Sequence, residues 1–301
     1  MSDPKVEPDI EPASISVLGL GIMGTVIAGA LLATGAPLAV WNRSPEKTEV
    51  FRDTGAKVCA SPREAIAAGE LVIVCLTSYA AWDNLVADAG LEDLLGGRTL
   101  VQLTTGTRAE AREHAARARR WGAGLVDGVI LAFPSQIGTE EAMLLTAGEA
   151  DAWARSASTL DALGGNVRYL GTDVGGPSVL DAAMLSSKLG TLIGTIHGAA
   201  LAEAGGVSLH ELHEVLDGTR HINSDEMLRV CEAIATGRTE QTEAALGTWG
   251  SIPGHMLDLA RSSGTDPSFP EMLQRLFARA EAAGLGEHDL SAMVQLFRAR
   301  H

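Results

Sequence analysis

The chain has 301 residues, 46% of them hydrophobic and 4% aromatic, and it carries a formal net charge of −15 at pH 7. This length and apolar content are enough to bury a sizeable core, divided between two domains. The strong negative charge argues against nucleic acid and anionic membrane surfaces as partners, since both would repel the protein.

Residues 1–13 are polar, acidic and contain prolines, which predicts a disordered leader and not a signal peptide. No later apolar run is uninterrupted over the length that a bilayer requires. The cysteines Cys59, Cys75 and Cys231 lack metal-ligand spacing and cannot all pair with one another. Cys75 belongs to an apolar run and is expected to be a buried strand thiol. We therefore expect a cytoplasmic protein.

The next segment carries a dinucleotide-binding signature. Residues 15–18 have a short apolar strand pattern, and residues 25–34 continue as a helix rich in alanine and leucine. A strand, tight turn and helix of this kind bind a pyrophosphate, because glycines let the backbone approach it and the helix N-terminus faces it. A glycine-rich turn without a ligand is the alternative. The residues of the turn are Gly19, Leu20, Gly21, Ile22, Met23 and Gly24.

The second strand pattern, residues 37–41, ends without the acidic residue that usually binds the ribose 2′-hydroxyl of NAD. Instead the chain continues with Asn42, Arg43, Ser44 and, one helical turn on, Lys47. Arg43 offers a planar fork suited to a phosphate, and Lys47 adds a second positive charge, so NADP(H) is the predicted cofactor. In the alternative, the two cations form an ordinary solvated surface and Ser44 only caps the following helix.

Strand and helix patterns alternate through the rest of the first half, which predicts an α/β fold with a doubly wound, mostly parallel sheet of the Rossmann type. The strand patterns are residues 72–77, 99–103, 124–129, 142–147 and 166–170. Ligands bind beyond the carboxyl ends of such strands, so two loops are expected along the cofactor and the substrate cleft, although turn and cap chemistry would explain the same residues. The loop residues are Leu76, Thr77, Ser78, Thr104 and Thr105.

The composition changes at Gly171. From residue 177 to about residue 204 the chain carries alanine, leucine and methionine on most helical faces, with Gly190, Gly194 and Gly198 at every fourth position. A helix that is apolar nearly all round must be buried on several sides, so we expect it to pack against a partner subunit. Only helical patterns follow. The predicted domains are an NADP-binding domain over 14–175, an interdomain helix over 176–204, and an all-helical substrate and dimerisation domain over 205–301.

These motifs resemble the β-hydroxyacid dehydrogenase superfamily, which includes 3-hydroxyisobutyrate and 6-phosphogluconate dehydrogenases. The shared features are the glycine signature, Asp127-Gly128 at the end of a late strand, and V-G-x-G-x-x-x before a functional residue at the head of a long helix. In those enzymes that residue is a lysine that assists the oxidation of an alcohol, whereas this chain has Asp181. The D-x-P-V-S-G-G run that binds a substrate carboxylate is also replaced.

At both of these positions the chain resembles imine reductases and reductive aminases. Members of that family share D-G-x-I-x-x-x-P-x-x-I-G, present here over residues 127–138, and H-G-x-A-L, comparable to residues 197–201. The resemblance covers nearly the whole chain. It implies NADPH-dependent reduction of imines or iminium ions to amines, with reductive amination left open. It also implies a homodimer in which the helical domains are swapped, so that each contributes to a cleft over the partner's cofactor.

Asp181 suits this chemistry. Hydride transfer to C=N is fast when the nitrogen is protonated, and a carboxyl group near that nitrogen can deliver the proton or stabilise the cation. Asp181 is therefore the predicted catalytic residue. Its alternative role is to favour a helix N-terminus through the macrodipole.

Three further residues are predicted to line the substrate pocket. Lys188 lies seven positions after Asp181, so both fall on nearly the same helical face, about two turns apart. Lys188 could lower the pKa of Asp181 or snorkel to solvent or a subunit interface. Leu189 stands near the place of a tyrosine in some reductive aminases, and the absence of that tyrosine puts the joining of amine and ketone in doubt. Trp249 could be a pocket wall or a core aromatic.

The eight histidines form no metal set, and no metal site is predicted. Two alternatives to the imine reductase remain. One is an NADP-dependent β-hydroxyacid dehydrogenase that has lost its lysine, and the other is a non-catalytic NADPH-binding protein.

Overall fold

The computed structural model describes residues 13–240 and 243–298. The predicted leader lies outside the described residues except for Ala13. The chain forms two compact units, the first ending at Leu185 and the second beginning at Ser186. This division falls inside the long helix, whereas the predicted boundary precedes it. The functional roles given to the domains stay predictions.

Among the described residues, the first unit contains an eight-stranded sheet. Its strands are β1 (Ile15–Leu18), β2 (Leu38–Trp41), β3 (Lys57–Val58), β4 (Leu71–Val74), β5 (Thr99–Gln102), β6 (Gly124–Leu131), β7 (Met143–Gly148) and β8 (Asn166–Tyr169). They are ordered β3-β2-β1-β4-β5-β6-β7-β8, and all pairs are parallel except β6 and β7. The predicted doubly wound, mostly parallel sheet is confirmed. The strand order reverses between β1 and β4, which is where folds of this kind bind nucleotides.

Helices cover both faces of this sheet. They are α1 (Ile22–Ala33), α2 (Pro62–Ala68), α3 (Tyr79–Ala89), α4 (Glu92–Leu95), α5 (Arg108–Arg120) and α6 (Ala150–Asp161). Strands buried on both faces read as continuous apolar runs, because neighbouring residues point to opposite cores. Leu18 and Leu125 thus join the core under α2 to α5, and Val17 and Val126 join the core under α1 and α6.

Three local features differ from the sequence-based expectations. α1 begins at Ile22, three residues before the predicted start, because the helix follows Gly21 directly. The segment after Ser44 is a 3-10 helix, Pro45–Phe51. β4 ends at Val74, so Cys75 lies just beyond the strand and is only partly buried. The expectation of a buried strand thiol was therefore wrong.

The long helix α7 (Gly176–Ala204) forms as predicted and begins in the first unit. Within the described chain only Pro177 and Ser178 of α7 are buried, and apolar side chains such as Ile196, 69% exposed, face outward. By length and composition alone α7 is long and apolar enough to cross a membrane, a test that core helices of soluble proteins also pass. It also carries Asp181 and Lys188.

The second unit is helical, as predicted. Its core joins Leu246, Ala280, Leu285 and Ala292. A buried carboxylate, Asp289, pairs with Arg229 through Oδ2 and Nη1 at 2.9 Å. After α7 the helices are α8 (Leu209–Thr236), α9 (Leu246–Gly250), α10 (Ile252–Ser263), α11 (Ser268–Ala282), a 3-10 helix (Leu290–Met293) and α12 (Val294–Phe297).

Candidate active site

A cleft of about 620 Å³ opens where β1, β2 and β4 end. Most of the predicted cofactor residues line it, namely Gly19, Gly21, Ile22, Met23, Gly24, Asn42, Arg43, Ser44, Lys47, Leu76, Thr77 and Ser78. Leu20 is buried, 2% exposed, and serves the core beneath the glycine turn. The structure thus brings three separate sequence segments to one cleft at the switch point of the sheet.

The glycine turn has the geometry of a pyrophosphate site. Gly21 is the N-cap residue of α1 and no side chain bonds the first turn, so its N–H groups can serve an anion. Gly19 has φ of +100°, a conformation that favours glycine, and a Cβ there would collide with the carbonyl oxygen of Cys75. A Cβ on Gly24 would collide with the carbonyl oxygen of Gly19. These close approaches hold β1, α1 and the loop after β4 together.

Gly21 differs from these two glycines, because a Cβ built on it meets nothing within 4 Å. We expect Gly21→Ala to keep the fold while raising the Kd for NADPH at least about tenfold, since the methyl group would occupy the approach to the pyrophosphate. Fluorescence titration with NADPH measures the Kd, and thermal unfolding checks the fold.

Gly29→Ala is the matched control. Gly29 also lies on α1 and also has open space around a built Cβ, but it is not part of the turn. This variant should bind NADPH like the wild type and gain roughly 0.5–1 kcal/mol of stability. Equal Kd values for Gly21→Ala and the wild type would contradict the pyrophosphate placement.

Two cations stand at the tip of β2. Arg43 and Lys47 are exposed on the rim of the cleft, and neither forms an ion pair among the described residues. Ser44 occupies the N-cap position of the 3-10 helix, yet its hydroxyl makes no capping bond. Two positive charges and a hydroxyl group therefore face the cleft, which fits a ribose 2′-phosphate better than the capping alternative does.

Asn42 has a role that the sequence did not reveal. Its Oδ1 accepts a hydrogen bond from the backbone N–H of Leu20 at 2.9 Å, and its Nδ2 donates to the carbonyl oxygen of Ser44 at 3.1 Å. One amide thus ties the glycine turn to the tip of β2. The bond pattern indicates a supporting role for Asn42 in shaping the cleft.

The loops after β4 and β5 are joined to each other. The backbone N–H of Leu76 donates to Thr104 Oγ1 at 3.2 Å, and the Ser78 hydroxyl accepts from the N–H of Ala81 at 3.1 Å as the N-cap of α3. Thr104 is buried and Thr105 is exposed, and neither lines the cleft. Thr104 therefore supports the Leu76 loop without lining the cleft. Ser78 both caps α3 and lines the cleft.

Sequence reasoning missed one whole wall of the cleft. This wall is the outer part of α3 together with residues at the ends of β2 and β4, namely Trp41, Cys75, Ala80, Ala81, Asn84, Leu85 and Asp88. The topology could have indicated this wall, because β4 neighbours β1 across the switch point and α3 follows β4 directly. Burial raises the pKa of the Cys75 thiol to about 11, so this residue is a thiol and not a thiolate at neutral pH.

Asp181 lies in the second turn of α7 and is partly buried. Burial raises the pKa of its carboxyl group above the ordinary value, which favours a group that holds and delivers a proton. The first turn of α7 contains no acidic residue, and macrodipole effects fall off beyond that turn. The structure therefore gives little support to the macrodipole alternative. Asp181 does not line the dinucleotide cleft.

The start of α7 is fixed to α5. Asp173, just before the helix, pairs with Arg108 at 2.6 Å and with Arg112 at 3.1 Å. Its carbonyl oxygen also accepts from the N–H of Gly176 at 2.9 Å. Arg108 follows the loop after β5, so this ion-pair cluster connects that loop to the helix that carries Asp181.

The other predicted pocket residues lie in the second unit. Leu189 on α7 is 54% exposed and Trp249 on α9 is 37% exposed. Lys188 is also exposed on α7. Trp249 is thus not a fully buried core aromatic, and its pocket role stays a prediction, as do those of Lys188 and Leu189. Within the described ranges, no group of three or more His, Cys, Asp or Glu residues is arranged to hold a metal ion.

Comparison with known proteins covers both units. Residues 14–171 match the NAD binding domain of 6-phosphogluconate dehydrogenase, and residues 173–299 match the C-terminal domain of the NADPH-dependent reductive aminase-like family. The chain is 30% identical to an NADPH-dependent reductive aminase of Aspergillus oryzae, over 94% of this chain and 97% of the relative.

Solved structures agree with these matches. An imine reductase from Myxococcus stipitatus in complex with NADP⁺ superimposes with a TM-score of 0.90 at 30% identity, over 95% of this chain and 100% of the other. A reductive aminase from Aspergillus terreus in complex with NADPH and ethyl levulinate gives a TM-score of 0.88 at 32% identity, over 95% and 99% of the two chains.

Proposed function

The chain belongs to the family of NADPH-dependent reductive aminases and imine reductases, and we propose that it uses NADPH to reduce the C=N bond of imines or iminium ions to amines. Its relatives that act on hydroxyacids, such as an L-threonate dehydrogenase from Cupriavidus necator at 25% identity, are less similar. The observation that carries the proposal is the partly buried carboxyl group of Asp181, at the place where the resemblance to hydroxyacid dehydrogenases would put a lysine.

The described residues fit NADPH. The uncapped N-terminus of α1 receives the pyrophosphate, and Arg43, Lys47 and Ser44 receive the 2′-phosphate. Bound NADPH supplies the hydride for the reaction. The protein holds the cofactor in place, and Asp181 delivers a proton to the substrate nitrogen or stabilises its positive charge. A lysine at this position would suit an alcohol oxygen instead.

Activity with matched substrates tests the proposal. Purified protein should oxidise NADPH in the presence of a small cyclic imine and should not reduce NADP⁺ with 3-hydroxyisobutyrate. Activity on the hydroxyacid alone would favour a β-hydroxyacid dehydrogenase. Tight NADPH binding without turnover across a broad imine panel would favour a non-catalytic NADPH-binding protein.

Preformed imines are the proposed preferred substrates. The chain has leucine at position 189, and the resemblance places a tyrosine near this position in some reductive aminases that join amine and ketone. We therefore propose that mixtures of ketone and amine react more slowly than the corresponding imine.

We further propose a homodimer built on α7 and α8. Both helices carry exposed apolar side chains, including Ile193 and Ile196 on α7 and Ile222 and Leu228 on α8. Exposed apolar surface of this extent typically marks an interface. A cytoplasmic location is proposed on the grounds of the free cysteines and the acidic charge.

Sedimentation analysis tests the dimer. The wild type should sediment at twice the chain mass of 31.3 kDa, and Ile196→Asp should shift the population to the monomer, because a charge in a buried apolar interface is costly. Val50→Asp is the control, since Val50 is similarly exposed but belongs to the 3-10 helix after β2 and not to α7 or α8. A wild type that sediments as a monomer would contradict the proposal.

A further inference from the structure

A buried pair of polar side chains lies beneath the loops that follow β4 and β5. The Tyr79 hydroxyl donates a hydrogen bond to Asp127 Oδ1, and the two residues are 2% and 0% exposed. Asp127 comes from β6 and Tyr79 is the first residue of α3. This bond therefore joins the sheet to the helix that forms one wall of the cleft.

Tyr79 also contacts the loop after β5. Its ring fills the space beside Gly106, where an added Cβ would collide with the ring carbons. Its other edge meets the imidazole of His114 on α5, with ring centroids 5.6 Å apart in a T-shaped arrangement. Ser78, which lines the cleft, precedes Tyr79 directly. A shift of the Tyr79 ring would therefore displace Ser78 in the cleft and Gly106 in the loop after β5.

A second set of hydrogen bonds also connects the loops after β4 and β5. The N–H of Leu76 donates to Thr104, whose own N–H donates to Gln102 Oε1 at 3.3 Å. Gln102 pairs with Asp127 in the register of β5 and β6. The Leu76 loop is thus fixed through buried polar groups to the end of β5, beside Asp127 in the middle of β6.

We propose that Tyr79 and Asp127 are positioning residues for NADPH, which hold the loop of Leu76 to Ser78 in the arrangement that binds the cofactor. The proposal rests on the assignment of NADPH to the cleft. Neither residue touches the cleft, so both act through the loop. We expect Asp127 to be neutral in the binding arrangement, because burial disfavours the charge and Oδ2 has no hydrogen-bond donor among the described residues, although the Tyr79 hydrogen bond acts in the opposite direction.

Asp127 is the group that titrates near neutrality in this cluster. Burial raises its pKa to about 7, and burial lowers the pKa of His114 to about 4, so the imidazole is uncharged at neutral pH. Burial also raises the pKa of Tyr79, and the capping bonds of Thr107 lower the pKa of Glu110 on α5. The folded-state pKa of Asp127 lies above the ordinary value. Its stabilising contribution is therefore complete below about pH 4 and is lost as the pH rises through about 7.

The test measures the Kd for NADPH by fluorescence between about pH 5 and 9. Tyr79→Phe should weaken binding about tenfold, because the hydroxyl that holds Asp127 is lost. Asp127→Asn keeps an acceptor for Tyr79 but cannot ionise. It should retain the wild-type Kd at low pH and lose the weakening that the wild type shows above pH 7. The 2′-phosphate of NADPH titrates at about pH 6 in every variant, so its effect on the Kd is the same for all of them and does not affect the comparison.

Tyr169→Phe is the matched control. Tyr169 is the chain's other tyrosine, and its hydroxyl donates to the carbonyl oxygen of Gly148 at 2.7 Å. Its loss should lower stability and leave both the Kd and its pH dependence unchanged. A wild-type Kd for Tyr79→Phe, or an unchanged pH dependence in Asp127→Asn, would overturn the proposal. Should Tyr79→Phe not fold, Asp127→Asn decides alone. A wild type that does not bind NADPH at any pH would instead refute the cofactor assignment.

Discussion

Replacing Asp181 by asparagine is expected to lower kcat for the reduction of a neutral cyclic imine about a thousandfold, while the Kd for NADPH stays unchanged. Asparagine keeps the shape of the side chain and removes its proton and charge. The dinucleotide cleft does not include Asp181, so cofactor binding gives an internal check on folding. Stopped-flow measurement of NADPH oxidation under single-turnover conditions separates the chemical step from product release.

The pH dependence gives a second readout for Asp181. Burial raises the pKa of this carboxyl group. If the protonated form delivers the proton, kcat should fall as the pH rises through that raised pKa, and the small residual rate of Asp181→Asn should lack this step.

A permanently charged N-alkyl iminium substrate distinguishes two roles. Such a substrate needs no proton, so Asp181→Asn should lose much less rate on it than on a neutral imine if Asp181 is the acid. An equal loss on both would assign Asp181 to stabilising positive charge. Glu203→Gln, the same change near the other end of α7, is the control and should have wild-type rates. Wild-type activity in Asp181→Asn would refute both roles.

The double replacement of Arg43 and Lys47 by alanine should lower kcat/KM with NADPH at least about a hundredfold, and leave kcat/KM with NADH unchanged. Charge-assisted bonds to a phosphate are worth roughly 1.5–3 kcal/mol each, and NADH has no 2′-phosphate to receive them. Since both side chains are exposed, the wild-type KM for NADPH should also rise with ionic strength. Initial rates with the two cofactors at a fixed imine concentration give the comparison.

Arg52→Ala is the control for a change of charge. Arg52 is a neighbouring exposed arginine that pairs with Glu49 at 2.5 Å and does not line the cleft. It should leave the preference for NADPH intact. A parallel loss of activity with NADPH and NADH in the double variant would place the 2′-phosphate elsewhere.

The fold was largely predictable because its signals are local. Strands buried on two faces must be apolar throughout, and the turn after β1 tolerates only glycine at Gly19 and Gly24, so the α/β pattern is visible in the residues themselves. The lengths of β4 and α1 were less accurate, since the residues at their ends have weak preferences.

The lining of the cleft was predictable where one residue type suits one kind of chemistry. Arg43 and Lys47 line the cleft as expected, and Asp181 lies on the long helix as expected. Their roles in phosphate binding and proton delivery stay predictions. The support beneath them was not predictable, because it arises from pairing across the sheet. Tyr79 and Asp127 are 48 positions apart in the chain, and the role of Thr104 depends on a backbone N–H from another loop.

The two hydrogen bonds of the Asn42 amide have a consequence for the thermodynamics of cofactor capture. They join the glycine turn to the β2 tip through bonds within the protein, so the chain itself fixes the spacing between the two proposed phosphate positions. A nucleotide that reaches both positions at once loses its own freedom, but the protein loses little conformational entropy. The gain from the second phosphate is then close to its full contact energy.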